Sequence, residues 1–194
     1  MAARTTKLKA INVMLGVIGE SSVNTITGTN PFEVSLAIDI LDEICRELTQ
    51  DKFVFNFEDD VSLVPEVAGY IIVPADYSQV RGQDGKEYII RDDGGIEKLY
   101  NIQGRTFIFT ATLKADVVFL LDFEDLPEAG KRYCLIRAAR VYADRLVGSK
   151  DIRAFTERDE IEAKAKLANY QHGVGKVNML SQSSSVRKIL NRSI

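Results

Sequence analysis

The chain has 194 residues, 45% hydrophobic and 27% charged, with 25 Lys and Arg against 28 Asp and Glu, two cysteines and one histidine. That is the make-up of a soluble globular domain with a sizeable core; two Cys and one His are too few for a zinc site, and a His-dependent catalytic triad would have to rest on the single His172. The net charge of −3 is split unevenly: residues 173–194 hold Lys176, Arg187, Lys188 and Arg192 and no acid, so a tail of +4 follows a body of −7, which argues against a grip on nucleic acid through its phosphates.

Residues 1–4 read as loose. Thr5 or Thr6 then caps a helix with Leu8, Ile11, Met14, Leu15 and Ile18 on its apolar side and Gly19 at its stop. Residues 20–29 lack periodicity and read as a connector. The best-marked element follows. Asn30 is placed as N-cap, Pro31 at the first helical position and Glu33 as the return half of a capping box. Val34, Ala37, Ile38, Leu41, Ile44, Cys45 and Leu48 recur at the spacing of one helix face. A rod of about 19 residues and roughly 28 Å is expected, long enough to be the spine of a small domain. Around residues 50–52 the period changes from 3.6 to 2, and Phe53, Phe55 and Phe57 predict a strand with three rings on one side.

Short β-branched or aromatic runs come next at Val61–Val64 and Tyr70–Val73, each closed by a proline. Asp84-Gly85, Asp93-Gly94-Gly95 and Gln103-Gly104 predict hairpin turns between runs ending in Tyr88–Ile90, Leu99–Tyr100 and Thr106–Phe109. Val117–Phe123 is almost continuously apolar and fits a buried strand. Asp125, Pro127 and Glu128 open a third helix with Tyr133, Ile136, Val141, Leu146 and Val147 apolar, stopped by Gly148. A fourth, Lys150–Tyr170, carries Ile152, Phe155, Ile161, Ala165 and Leu167 among alternating charges. The fold class is therefore α+β. A bundle of about four α-helices comes from residues 1–52 and 125–172, an antiparallel β region is inserted at 53–124, and residues 173–194 form an extended C-terminal arm.

Chemistry is sparse. No apolar run is long enough to cross a membrane and no basic start leads into a signal region. Cys45 and Cys134 both lie in apolar helical patterns and read as reduced core thiols. His172 sits where a cation complements a helix end. Gly173-Val174-Gly175-Lys176 lacks the earlier glycine, the Ser or Thr and the preceding strand of a phosphate loop. Glu58-Asp59-Asp60 and Asp92-Asp93 are the acid pairs that glycoside hydrolysis would need, but they read more simply as a strand end and a turn. No catalytic, cofactor-binding or metal-ligating residue is assigned, and no cofactor is expected.

Asn12, Leu15, Ile18-Gly19-Glu20, Val23, Thr25 and Gly28, then Ile40-Leu41, Phe55-Asn56-Phe57-Glu58 and Leu63-Val64-Pro65-Glu66 form a recognisable series. It resumes at Leu126-Pro127-Glu128, runs through Tyr133, Ile136, Ala139-Arg140 and Arg145 to Gly148, and returns at Asn178-Met179-Leu180. This pattern resembles the tail tubular protein A family, the adaptors or gatekeepers of short-tailed bacteriophages. It is weak between Arg81 and Lys114, and Lys52-Phe53 stands where the family usually has Gly-Trp.

The resemblance implies a non-enzymatic virion protein of the tail, made in the host cytoplasm. Its implied partners are the portal protein, the tail nozzle protein (tail tubular protein B) and further copies of itself in a ring, usually dodecameric. Duplex DNA would pass through the lumen without sequence-specific binding, and no membrane insertion is implied. The basic, apolar-poor C-terminal arm is the candidate portal-docking element, through Lys176, Asn178, Met179, Leu180, Val186, Arg187, Lys188, Ile189, Leu190 and Arg192, ordering only on assembly. Competing expectations are a peptidoglycan hydrolase built on the acid pairs and a soluble host regulator indifferent to portal.

Overall fold

The first helix begins at its predicted cap. In the computed structural model, which describes residues 4–146 and 150–174, the Thr6 hydroxyl accepts from the Lys9 amide at 3.2 Å. Helix α1 spans Lys7–Val17, and Gly19 leaves it with φ +84°, a conformation without steric cost only for glycine. The connector that follows is pinned rather than loose, since the Asn12 carboxamide donates to Val23 O (3.0 Å) and accepts from Val23 N (2.8 Å). The expected looseness of residues 1–3 falls outside the described residues.

Helix α2 has the predicted length, Phe32–Gln50, but not the predicted cap. Asn30 turns its Nδ2 back to Ile26 O (3.1 Å) and Gly28 O (3.3 Å), so its side chain is spent on the preceding turn. Pro31 takes the N-cap position with no side-chain bond. The buried stripe is Val34, Ala37, Ile40, Leu41, Ile44, Cys45 and Leu48, with Ile40 in the core and Ile38 at its margin.

The strand expected at Phe53 does not form. Residues 53–56 are a turn held by Asn56, whose Nδ2 donates to Thr49 O (2.7 Å), Asp51 O (3.1 Å) and Phe119 O (2.9 Å) while its Oδ1 accepts from Phe53 N (2.8 Å). The three rings part company. Phe53 and Phe55 stack with centroids 5.1 Å apart, and Phe57 lies under Lys52 Nζ at 3.3 Å.

The strands are β1 Phe57–Leu63, β2 Tyr77–Gly82, β3 Tyr88–Asp92, β4 Glu97–Asn101 and β5 Leu113–Phe119. They form an antiparallel sheet ordered β1-β5-β2 and a separate β3-β4 hairpin. The β1–β5 register runs from Phe57↔Val118 to Leu63↔Leu113 and shifts between Glu58 and Val61. At this bulge Asp60 takes φ 58°.

Tyr70–Val73 is not a full strand. Held between Gly69 and Pro74, it reaches β4 through Val73 N to Glu97 O (2.9 Å) and Leu99 N to Ile71 O (3.0 Å). Thr106–Phe109 likewise makes only isolated bridges, to Asn101 and Tyr70. The apolar run Val117–Phe123 is divided: β5 ends at Phe119, and Phe123 starts a single 3-10 turn, Phe123–Asp125, with its ring in the helical core.

Helix α3, Glu128–Leu146, buries Tyr133, Cys134, Ala138, Ala139, Tyr142 and Ala143. It packs against α1, α2 and α4, its alanines allowing close approach, while α2 packs against α1, α3 and the strands β2 and β5 and so joins the bundle to the sheet. Its predicted stop, Gly148, lies outside the described residues. Helix α4 runs Lys150–Val174, past the expected end at Tyr170.

The buried side of α4 is Ala163 and Leu167, whereas Ile161 and Ala165 face solvent. Leu167 is buried as expected, while Ile161 and Ala165, offset by two residues or about 200° from the row of Ala163 and Leu167, turn outward. The side chains of Ile152 and Phe155 are not among those described. Two buried clusters result, one among the helices around Ile11, Leu41, Phe123 and Tyr142 and one in the β part around Leu63, Ile71, Val80, Leu99 and Leu113.

Lys131 locks α1 to α3. It is 1% exposed, and its Nζ meets Thr5 O at 3.1 Å and Glu124 Oε2 at 3.4 Å. Glu124 also accepts from Lys7 N (2.7 Å), and Glu128 accepts from Thr5 N (2.8 Å) and Thr5 Oγ1 (3.0 Å). Two carboxylates thus meet the unpaired amides at the start of α1, where the helix dipole favours negative charge.

Candidate functional site

The paired acids close turns. Asp60, on the β1 bulge, has Oδ1 3.3 Å from Lys114 Nζ. Asp92 accepts from Gly95 N at 3.3 Å, and Asp93 from Lys98 Nζ at 2.8 Å. Asp92 thus holds the backbone of its own turn, while Asp60 and Asp93 are paired with lysines. His172 is exposed in the last turn of α4, and Gly173 and Val174 continue that helix. Cys45 and Cys134 are buried free thiols, and the hydrogen bond to Cys45, with burial, pushes the Cys134 thiol well up. No described helix is long and apolar enough to cross a membrane.

All ten residues of the candidate arm, Lys176, Asn178, Met179, Leu180, Val186, Arg187, Lys188, Ile189, Leu190 and Arg192, lie outside the described residues. What the structure does place are two surfaces of opposite character. The helical one is charged. Asp39, Glu43, Glu47 and Asp51, all exposed, follow one another every fourth residue along and just beyond α2, an acidic ridge about 18 Å long.

Bases of α1 and α3 answer it. Lys7 lies 2.6 Å from Asp42, Arg137 2.7 Å from Glu47 and Arg145 3.4 Å from Glu43, while Arg140 reaches Glu160 of α4 at 2.8 Å. The partly exposed pairs of Lys7, Arg137 with Glu47, and Arg145 contribute about 0–1 kcal/mol each, so their main effect is to set the order of charges across the face, whereas Arg140 Nε and Glu160 Oε2 meet out of reach of solvent.

The β part instead exposes aliphatic side chains: Val64, Val67, Ile72 and Ile108, with Val67 fully exposed. Tyr70 bridges to Ile108 and Ile72 to Lys98. Lys98 Nζ sits 4.4 Å from the centre of the Tyr70 ring while bonded to Asp93. Gly69 takes φ +86°, a conformation that favours glycine, and an added Cβ would lie 3.2 Å from Ile108 Cγ2.

The sequence places Val64, Ile72 and Ile108 in short strand runs and leaves Val67 between them unassigned. Pro65 and Pro74 break the runs before an in-out alternation can be counted, and the signal that separates the faces is missing. At the far end of the same part, Tyr88 donates to Asp84 Oδ2 at 2.7 Å. Burial and the neighbouring Asp84 push the Tyr88 phenol up to about 12, and the same bond holds the Asp84 carboxyl below its usual range. The pair latches the 83–87 turn.

The described residues thus present an acidic ridge on the helical part and exposed aliphatic side chains on the β part. A family model described as tail tubular protein matches residues 8–177, a span that takes in every helix and strand except the first residue of α1. Tail tubular protein A of Klebsiella phage KP34 is 32% identical over 157 residues, which cover 79% of this chain and 81% of that protein. The chain belongs to the tail tubular protein family and is a structural protein of the phage tail.

Proposed function

We propose that the chain is the tail adaptor: a ring, dodecameric, joining the portal protein above to the tail nozzle protein below and forming part of the channel that retains and then passes the genome. The observation that carries this reading, beside the family, is the pair of unlike surfaces on one subunit. A closed ring of identical subunits is made by head-to-tail contacts, and each such contact needs two different patches. A charged helical face and an aliphatic β face meet that need.

We also take residues 53–124 to be a working part inserted into the helical bundle of 1–52 and 125–172. An acidic body suits a lumen. Duplex DNA carries one charge per about 1.7 Å, and a wall without excess Lys and Arg within a Debye length of about 8 Å does not hold it back.

On this reading the protein has no catalytic role, is made in the host cytoplasm and ends in the virion tail, and residues 173–194 dock it to portal. Sedimentation with isolated portal rings tests the reading: the full chain should co-sediment, and a chain lacking 173–194 should remain folded and stay behind. Undiminished attachment of the shortened chain refutes the arm, and no attachment of the full chain refutes the adaptor. Replacing Asp59, Asp60, Asp92 and Asp93 together by Asn should leave any peptidoglycan-degrading signal of the preparation unchanged. A loss of that signal would point to a hydrolase instead.

A further inference from the structure

Between α2, α3 and α4 lies a cleft of about 280 Å³. Its floor is apolar, formed by Ile44, Leu48, Phe53 and Leu167, with Ala168 on one wall. A cavity of about 150 Å³ lined by such side chains already accepts a benzene ring, so this one has room for aliphatic side chains from elsewhere.

Four charges stand around its mouth: Glu47, Asp51, Arg137 and Lys164. Glu47 and Arg137 pair with each other at 2.7 Å. Asp51 has no ion pair among the described residues and continues the acidic ridge of α2, a helix with five acids and one base. Lys164 stands on the α4 side of the mouth, so the excess of acid lies on the α2 side alone, and an apolar slot with that acidic edge fits a segment with aliphatic side chains and basic ones next to them.

The chain carries such a segment next door. The described chain stops at Val174 in α4, and the same helix contributes Leu167 and Ala168 to the cleft, about 10 Å back along its axis. Residues 175–194 hold no acid and set Val186, Ile189 and Leu190 among Arg187, Lys188 and Arg192. From Val174 to Arg187 an extended chain reaches about 43 Å, several times the distance required. A tether of that kind presents the segment at an effective concentration on the order of millimolar, which favours the subunit's own arm over any free competitor.

We propose that in the unassembled subunit this cleft is occupied by the chain's own residues 175–194, with an aliphatic side chain from the Val186, Ile189 and Leu190 group in the slot and Arg187 or Lys188 against Asp51. The cleft is the arm's seat before assembly, so the docking segment is covered until a better partner takes it. This goes beyond the adaptor reading and does not need it: attachment to portal and seating in the cleft are read by different assays, and either can fail alone.

The test is disulfide trapping in the full chain, where the native Cys45 and Cys134 are buried. Asp51→Cys with Arg187→Cys should form an intrachain 51–187 bond, identified by peptide mass, at least ten times faster than Val67→Cys with Arg187→Cys, whose first site is fully exposed on the β part. Adding Ala168→Trp, at a solvent-facing position, should fill the wall and bring the 51–187 rate down to that of the control. Equal rates for the two pairs overturn the proposal, as does a 51–187 bond found only between two copies. A rate unchanged by Ala168→Trp overturns the slot, leaving charge attraction alone.

Discussion

Asn56 makes four hydrogen bonds with one carboxamide, three of them to carbonyls on the end of α2, its exit and the end of β5. It is 2% exposed, so removing it strands buried groups that water cannot reach, each worth about 1–3 kcal/mol. Asn56→Ala should cost about 3 kcal/mol in urea unfolding. Asn56→Asp, which keeps the shape but turns the donor into an acceptor facing three carbonyls, should cost at least as much.

Lys131 is the second such residue. Lys131→Met retains the buried stem and deletes only the bonds to Thr5 O and Glu124, so denaturation should show a loss of about 1–3 kcal/mol. The Glu128 carboxyl is held below its usual range, chiefly by the Thr5 amide. Its native value lies under the unfolded one, so its support is complete above about pH 4.3 and fades as pH falls through the lower native value. The Thr5 amide resonance should titrate with that lower midpoint, and Glu128→Gln should abolish the titration.

Neither Asn56 nor Lys131 was legible in the sequence. The first looks like the inner half of an alternating run and the second like one more surface lysine, because their partners lie up to 63 and 126 residues away in the chain.

At the scale of elements, the helices were readable because a 3.6-residue period survives over several turns, and α2 has the expected length of 19 residues, starting one position later than expected. What failed were side-chain choices at the ends. Asn30 had two places to spend its amide and took the turn, and Ile161 and Ala165 of α4 lie on the side opposite the row that packs. The sheet was readable only as a region.

Strand β2 carried no distinct signal, and Tyr70–Val73 had the composition of a strand but too little room between Gly69 and Pro74 for a full ladder. Packing between strands can be tested at Gly82, where an added Cβ would come within 2.4 Å of Tyr88 Cε2. Gly82→Ala should displace that ring, break its bond to Asp84, and lower stability by about 1–3 kcal/mol. The displaced phenol should also titrate below its native value of about 12, visible in ultraviolet absorbance.

For the whole molecule, the sequence conveyed class and kinship and left the assembly surfaces unmarked. The acidic ridge was hidden because a charge run on a helix reads as an ordinary solvated face. The aliphatic patch was hidden because Val64, Ile72 and Ile108 sit in runs that resemble core. If ring closure uses these two faces, Val67→Asp with Ile108→Asp should leave the monomer's unfolding midpoint within about 0.5 kcal/mol of the parent, since both side chains are already exposed. In sedimentation the same variant should fail to form the large species seen when parent subunits meet portal. A midpoint far below the parent's would mean instead that the patch supports the fold.

The Asn56 junction bears on mechanics as well as stability. One amide stitches the last turn of α2 to the closing residue of the middle strand, so bundle and sheet meet as a pinned corner. A collar assembled from such corners would pass a tug on its upper tier straight to the lower one, and its tiers could be shifted only together.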